Sequence, residues 1–159
     1  MTPMAPTRPN RPASPPLPAS QHQCRIPLLA DAAAAAAARS VVQDCIRTWR
    51  APVDTDVAVL LTSELVTNAV THGTPTLGTF VILAVGCDAA GLRVDVHDGS
   101  NDLPLLDMAS AEAETGRGLL LVTSLSAEWG FYRTSAGKAV YFTLDFARDP
   151  RETAPDCRS

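Results

Sequence analysis

The sequence predicts an α+β fold, a two-layer sandwich in which helices cover one face of a mixed, mostly antiparallel sheet. Three observations predict it. Two helical patterns follow one another between residues 31 and 73, and two strand pairs with turn signals follow at 79–99 and 129–146. The chain lacks the regular alternation of strand and helix that a Rossmann fold requires.

Composition limits the possible functions. The chain has 159 residues, 46% of them hydrophobic, enough for a core of its own. A net charge of -4 argues against direct binding of nucleic acid, which favours a basic patch. No apolar run approaches the roughly 20 residues that span a bilayer, and the N-terminus lacks a signal-peptide layout. We therefore expect a cytoplasmic protein that does not insert into membranes.

Four scattered cysteines show no metal-binding spacing, so they are expected to be reduced thiols, with Cys45 and Cys87 in the core. They are Cys24, Cys45, Cys87 and Cys157.

The ends of the chain differ from its middle. The first 20 residues contain seven prolines and almost nothing apolar, which predicts a disordered arm over 1–22. An inert arm is the simpler interpretation, and a docking segment is the alternative. The folded domain is predicted at 23–146, and a flexible polar tail at 147–159.

The first predicted strand covers 23–29 and should lie at a sheet edge, where Pro27 is tolerated. Asp31 is the predicted N-cap of an alanine-rich helix that breaks before Pro52. The apolar positions of that helix recur at helical spacing and predict a buried stripe of Val41, Val42, Cys45, Ile46 and Trp49.

A second helix is predicted from a cap at Asp54 or Thr55 to His72, ending at Gly73. The next runs, 79–87 and 92–99, form a predicted hairpin, and 100–115 is predicted to be a loop. A short apolar helix follows at 116–125. The last hairpin pairs 129–135 with 139–146.

Two polar residues of the second helix stand in line. Glu64 and Asn68 are one turn apart and project from the same side, next to apolar Leu61 and Leu65. One interpretation is a solvated helix face. The other is a cavity or ligand site, because Mg²⁺ prefers carboxylate and amide oxygens and a carboxylate can accept a proton.

Two further clusters lie at the ends of elements. Asp98 and Gly99 close a strand, where a carboxylate can accept a hydrogen bond from an exocyclic amine, although Asp-Gly also signals a simple turn. Gly116 and Gly118, on either side of Arg117, open a helix. Glycines at a helix N-terminus can form an anion site, or only a loop.

The strand at 92–99 alternates apolar and polar residues, which predicts a half-buried strand with Arg93, Asp95 and His97 on its polar side. Neither His97 nor His72 has an evident serine or cysteine partner, so a catalytic triad is not expected.

Together these motifs resemble those of the GHKL, or histidine-kinase-like, ATPase superfamily. More closely, the chain is similar to the bacterial anti-sigma-factor serine/threonine kinases. "SELVTNAVTHG" matches their N-box, and "DVHDGS" and "TGRGLLLV" match the two glycine-box positions. The resemblance covers residues from about 25 to 146, and implies a fold of the Bergerat type.

The resemblance implies a role for each matched position. Glu64 would activate the hydroxyl of a protein substrate, and Asn68 would bind Mg²⁺. Asp98, at the first glycine-box position with Gly99, would accept from the amine of adenine. The phosphates of ATP would be held by the cofactor-binding segment of Gly116, Arg117, Gly118 and Leu119.

The chain also departs from the superfamily pattern. Ser100 stands where broader relatives have the second glycine after the acid, and Gly137-Lys138 stands where many relatives have Gly-Thr. The threonine hydroxyl on the adenine side is therefore not expected here.

The resemblance implies a homodimeric kinase that phosphorylates an anti-anti-sigma (STAS-type) partner and that also holds a sigma factor. The alternative is a non-catalytic nucleotide-binding or partner-sequestering module. A detached histidine-kinase catalytic domain is disfavoured, because residues 31–50 contain no phospho-acceptor histidine.

Overall fold

The computed structural model describes residues 22–73, 80–99 and 121–146. Within them, five strands form one antiparallel sheet and two long helices cover one of its faces, which confirms the predicted α+β sandwich. The elements are β1 (His22–Leu29), α1 (Ala34–Trp49), α2 (Thr55–Asn68), a π-helical turn (Ala69–Gly73), β2 (Phe80–Cys87), β3 (Gly91–Asp98), β4 (Glu128–Thr134) and β5 (Gly137–Asp145).

The strand order is β1-β2-β3-β5-β4, so β3 lies in the middle of the sheet and β1 at an edge, as predicted. Both predicted hairpins form, and β5 lies between β3 and β4 and pairs with both. This order brings the end of β3 beside the start of β5, although the two segments are 40 residues apart in the chain.

The helices begin close to their predicted positions. Asp54 caps α2 by accepting a hydrogen bond from the Val57 amide at 3.2 Å. α1 begins at Ala34, later than predicted, because Asp31 forms a local turn and accepts from the Ala33 amide at 2.9 Å. The predicted stripe of α1 faces the core, with Val42, Cys45 and Ile46 buried and its flanking members half-buried.

The core lies between the helices and one face of the sheet. Alternate residues of β2 are buried against the helices, whereas their neighbours on the opposite face are more exposed. The largest fully buried side chains of the core include Phe142, Leu61 and Leu83, from β5, α2 and β2. This packing fixes α2 above the sheet, with its buried side facing the strands.

The prediction of an exposed polar side for β3 is wrong at Arg93 and Asp95. Both side chains are buried, with 7% and 5% exposed, and the Arg93 guanidinium donates to both carboxylate oxygens of Asp95 at 2.8 and 3.0 Å. Aromatic residues of the neighbouring strands cover the pair. Tyr132 donates to Asp95 at 2.7 Å, and the guanidinium carbon of Arg93 lies 4.0 Å from the centre of the Tyr141 ring.

Several predicted segments lie outside the described residues, including the N-terminal arm, the loop at 100–115, the first residues of the short apolar helix and the C-terminal tail. Residues 121–125 of that helix are helical, and Val122 is fully buried. Among the described helices, none combines the length and apolar character needed to cross a bilayer.

Three of the cysteines are free thiols, and Cys45 and Cys87 are buried as predicted. Burial, followed by the neighbouring Cys24, raises the pKa of Cys45 from an ordinary 9.0 to about 12. Because the folded protein holds this proton more tightly than the unfolded chain, the stabilisation is complete below pH 9 and is lost as the pH rises toward 12.

We therefore expect Cys45 of the folded protein to resist alkylation by iodoacetamide at pH 8, because the thiolate is the reactive form. Its thiolate fraction should be about 10³-fold smaller than that of an ordinary thiol. Mass spectrometry of the alkylated residues measures the rate, and the protein unfolded in guanidinium is the control. Equal rates for Cys45 in the two states would contradict the prediction.

Candidate functional site

The line of Glu64 and Asn68 lies at the edge of the buried face of α2. Both side chains are half-buried, and the neighbouring Leu61 is fully buried while Leu60 is 38% exposed. Within the part of the chain that the structure describes, neither polar side chain makes a hydrogen bond or ion pair. The two groups therefore remain available to a ligand, and Glu64 combines partial burial with a free carboxylate.

The helix α1 packs on a different side of α2. Arg39 of α1 donates to the Ser63 hydroxyl at 3.0 Å, and Ser63 directly precedes Glu64. Successive residues of a helix point about 100° apart, so this contact leaves the line of Glu64 and Asn68 turned away from α1. This arrangement favours the ligand-site interpretation, because α1 does not cover the two polar groups of α2.

The end of α2 lies against the strand that carries the second predicted cluster. Asn68 is the last residue of the α-helix, and the π-helical turn that follows, Ala69–Gly73, packs against β3. Irregular helical turns of this kind are frequent at functional sites. β3 ends in Asp98, whose buried side chain shares the helix-facing side of the sheet with Val94 and Val96.

Asp98 has a partner that the sequence motifs did not suggest. The ammonium of Lys138 lies 3.1 Å from each carboxylate oxygen, and it donates a hydrogen bond to Oδ1. The two residues are direct cross-strand partners in the β3–β5 pairing, and their side chains are only 2% and 7% exposed. Asp98, the predicted acceptor of a hydrogen bond from an amine, is thus one half of a buried ion pair.

A glycine brings the two strand ends together. A Cβ atom on Gly137 would overlap the Asp98 carbonyl oxygen and would lie 2.7 Å from the carbonyl carbon of Gly99. Only glycine permits this close approach of the backbones. Gly99 itself is exposed, so the strand end next to Asp98 is open at its surface.

The predicted phosphate segment, from Gly116 to Leu119, and Ser100 lie outside the described residues. The structure therefore describes four of the predicted site residues. Glu64, Asn68 and Asp98 lie on the helix-facing side of the sheet, and Gly99 follows Asp98 in the chain. The roles of Gly116, Arg117, Gly118 and Leu119 stay predictions.

His97 lies on the opposite side of β3 from Asp98, next to the aromatic cluster. Its ring contacts Tyr132 edge to face, with centres 6.0 Å apart. Burial and then the nearby Arg25 guanidinium lower the pKa of His97 below its ordinary value, so the imidazole is neutral at pH 7. This position separates His97 from the helix-facing side that carries the site.

The residues present fit a nucleotide with its magnesium ion. Among the described residues no group of three or more metal-binding side chains occurs, and Mg²⁺ bound to a nucleotide does not require one. It takes one or two protein oxygens, with water and phosphate completing its shell. The free amide oxygen of Asn68 can supply such a ligand, and Asp98 offers acceptors at the end of β3.

Lys138 is the site residue that the motifs missed. It is the only lysine in the sequence, and a Gly-Lys in place of Gly-Thr marked the position as unusual. The signal was present, but the pairing with Asp98 depends on a strand register that connects residues 40 positions apart.

A family model described as the histidine kinase-like ATPase domain matches residues 28–144. None of the curated proteins compared with the chain gives a match.

Fourteen chains in solved structures match this chain, and two of these structures illustrate the similarity. The first contains the RsbU and RsbW domains of Rv1364c from Mycobacterium tuberculosis, with a TM-score of 0.59 and 22% identity over 80% of this chain. This chain covers 33% of that structure, so it spans about a third of its length. The second is the histidine kinase domain of the Erythrobacter litoralis EL346 blue-light activated histidine kinase, with a TM-score of 0.44 and 28% identity over 57% of this chain and 43% of that one.

Proposed function

The chain belongs to the histidine kinase-like ATPase family, and on that premise we propose that it binds Mg-ATP and acts as a protein serine/threonine kinase. The observation that carries the proposal is the free line of Glu64 and Asn68 beside β3, the strand that ends in Asp98. These positions supply three groups that suit such a reaction. They are an acceptor for the proton of the substrate hydroxyl, a ligand for magnesium and a hydrogen-bond acceptor for adenine.

Each residue has a distinct proposed role. Asn68 ligates Mg²⁺ through its side-chain oxygen, and Asp98 accepts from the amine of adenine. Glu64 accepts the proton of a serine or threonine hydroxyl on the partner protein. Bound Mg-ATP supplies the phosphoryl group, and its transfer depends mainly on positioning and charge neutralisation. The segment from Gly116 to Leu119 holds the phosphates in this proposal.

The proposed partners follow from the resemblance to anti-sigma-factor kinases. The kinase substrate would be an anti-anti-sigma protein of the STAS type, and the second partner would be a sigma factor. The likeness to a structure that contains an RsbW domain supports the fold on which this proposal rests. Assembly as a homodimer in the cytoplasm belongs to the same proposal.

Calorimetric titration with Mg-ATP tests the nucleotide site. We expect the wild-type protein to bind and Asp98→Asn to bind at least about tenfold more weakly, because hydrogen bonds to a charged acceptor contribute about 1.5–3 kcal/mol. Asp44→Asn is the matched control, since Asp44 is 64% exposed on α1. Absence of binding by the wild-type protein, or equal affinities for all three proteins, would reject the proposed site.

One observation favours a second candidate, a non-catalytic partner-sequestering module in which nucleotide is at most a weakly bound ligand. Lys138 engages both oxygens of Asp98, which weakens the acceptor available to an incoming base. A module of this kind would bind or sequester its partner without transferring phosphate. Incubation with radiolabelled Mg-ATP and the co-purified partner separates the two candidates, because only the kinase transfers label.

A further inference from the structure

We propose that Lys138 reads the base of the bound nucleotide by donating a hydrogen bond to N1 of adenine, while Asp98 accepts from the 6-amino group. The inference rests on the proposed function and concerns the same site. It assigns a specificity-determining role to a residue that the sequence motifs leave without one, at a position where many relatives of the resembling superfamily have a threonine.

The geometry makes Asp98 and Lys138 one recognition unit. The residues face each other across β3 and β5, and the ammonium lies at an equal distance of 3.1 Å from the two carboxylate oxygens. The carboxylate oxygens of Asp98, which accept hydrogen bonds, and the ammonium of Lys138, which donates them, therefore lie side by side on the helix-facing side of the sheet. Each carboxylate oxygen has two lone pairs, so Asp98 can accept from Lys138 and from a ligand at the same time.

The ammonium has a donor to spare. It carries three N–H groups, and the carboxylate of Asp98 can take two of them. Among the described residues, no acceptor other than the Asp98 carboxylate is bonded to the Lys138 ammonium. Buried polar groups normally use their hydrogen-bonding capacity, so a third acceptor from a ligand fits this lysine.

The remaining surface of the pair belongs mainly to the lysine. The Lys138 side chain is 7% exposed and that of Asp98 is 2% exposed, and lysine is also the larger side chain. A base that reaches this point meets the lysine side chain as well as the carboxylate. Recognition by Asp98 alone would leave the lysine donor facing the ligand without a partner, which costs free energy in a buried site.

The pair matches adenine better than guanine. The edge of adenine presents an amine donor at position 6 next to an acceptor at N1, which complements a carboxylate next to an ammonium. Guanine in the same orientation presents an acceptor at position 6 and an N–H at N1, so both contacts would be repulsive. In the orientation that places position 6 against Asp98, the pair therefore selects adenine over guanine.

The experiment compares wild-type affinities for ATP, 1-deaza-ATP, 7-deaza-ATP and GTP by calorimetry. We expect 1-deaza-ATP, which lacks the N1 acceptor, to bind at least about tenfold more weakly than ATP. The matched control is 7-deaza-ATP, which keeps N1 and should bind like ATP. GTP should bind more weakly than 1-deaza-ATP, because it opposes both contacts.

The single lysine permits a direct spectroscopic test. Labelling with ¹⁵N-lysine gives one side-chain ammonium signal from this sequence, and that signal belongs to Lys138. ATP and 7-deaza-ATP should shift it alike, whereas 1-deaza-ATP should leave it closer to its position without nucleotide. In Lys138→Met, the affinities for ATP and 1-deaza-ATP should become equal; if that variant does not fold, the wild-type comparisons decide.

The outcomes separate this inference from the proposed function. If ATP binds but 1-deaza-ATP binds equally well and produces the same shift, the role of Lys138 is overturned while the nucleotide site stands. Preference for GTP over ATP would also overturn it. If no adenine nucleotide binds, the proposed function fails, and the inference fails with it.

Discussion

Glu64→Gln should lower phosphoryl transfer to the partner protein by about 10²–10⁴-fold while leaving the affinity for Mg-ATP nearly unchanged. Glutamine keeps the shape of the side chain but cannot accept the hydroxyl proton. Glu64 is half-buried and lies one helical turn before Asn68, and its replacement removes no hydrogen bond or ion pair within the described part of the chain. Transfer of label from γ-labelled ATP measures the rate, and calorimetry measures binding.

Asp56→Asn is the matched control for this prediction. Asp56 is an exposed acid in the first turn of the same helix, two turns before Glu64. The control should retain transfer close to the wild-type rate, which separates loss of the base from loss of negative charge on α2. Equal transfer by Glu64→Gln and the wild-type protein would rule out Glu64 as the proton acceptor.

Lys138→Met should lower the free energy of unfolding by about 3–5 kcal/mol, because it leaves the Asp98 carboxylate buried without its cation. The double variant Asp98→Asn with Lys138→Met removes both charges, and we expect it to recover much of the loss. Urea denaturation of the single and double variants measures both values.

An exposed ion pair provides the contrast. Arg47 and Asp44 of α1 are only 2.6 Å apart, but their side chains are 79% and 64% exposed. Arg47→Met should therefore change stability by about 0–1 kcal/mol despite the shorter distance. If Lys138→Met costs no more than Arg47→Met, the Asp98–Lys138 pair is not the buried pair described above.

Local sequence patterns were sufficient to predict the helices and strands. The spacing of Val42, Cys45 and Ile46 predicted the buried side of α1, and the acid at Asp54 predicted the start of α2. Both depend on residues within one or two turns of each other, so the chain needs no distant partner to specify them. The strand limits were predicted to within one or two residues for the same reason.

The polar side of β3 could not be predicted in this way. Alternation correctly placed Arg93 and Asp95 together on one side of the strand, but not their burial. That burial requires Tyr132 and Tyr141, which belong to two other strands and reach the pair only because β5 lies between β3 and β4. Burial of a side chain is a property of its neighbours in space.

The same distinction between local patterns and contacts of distant segments applies to the candidate site. The sequence by itself determined the residue types and their local placement, with Glu64 and Asn68 one turn apart on a helix and Asp98 at a strand end. Only the tertiary structure decided that α1 leaves the Glu64 line uncovered and that Lys138 binds Asp98. Helix periodicity acts over a few residues, whereas strand register joins positions far apart, and a single sequence does not contain that register in any local pattern.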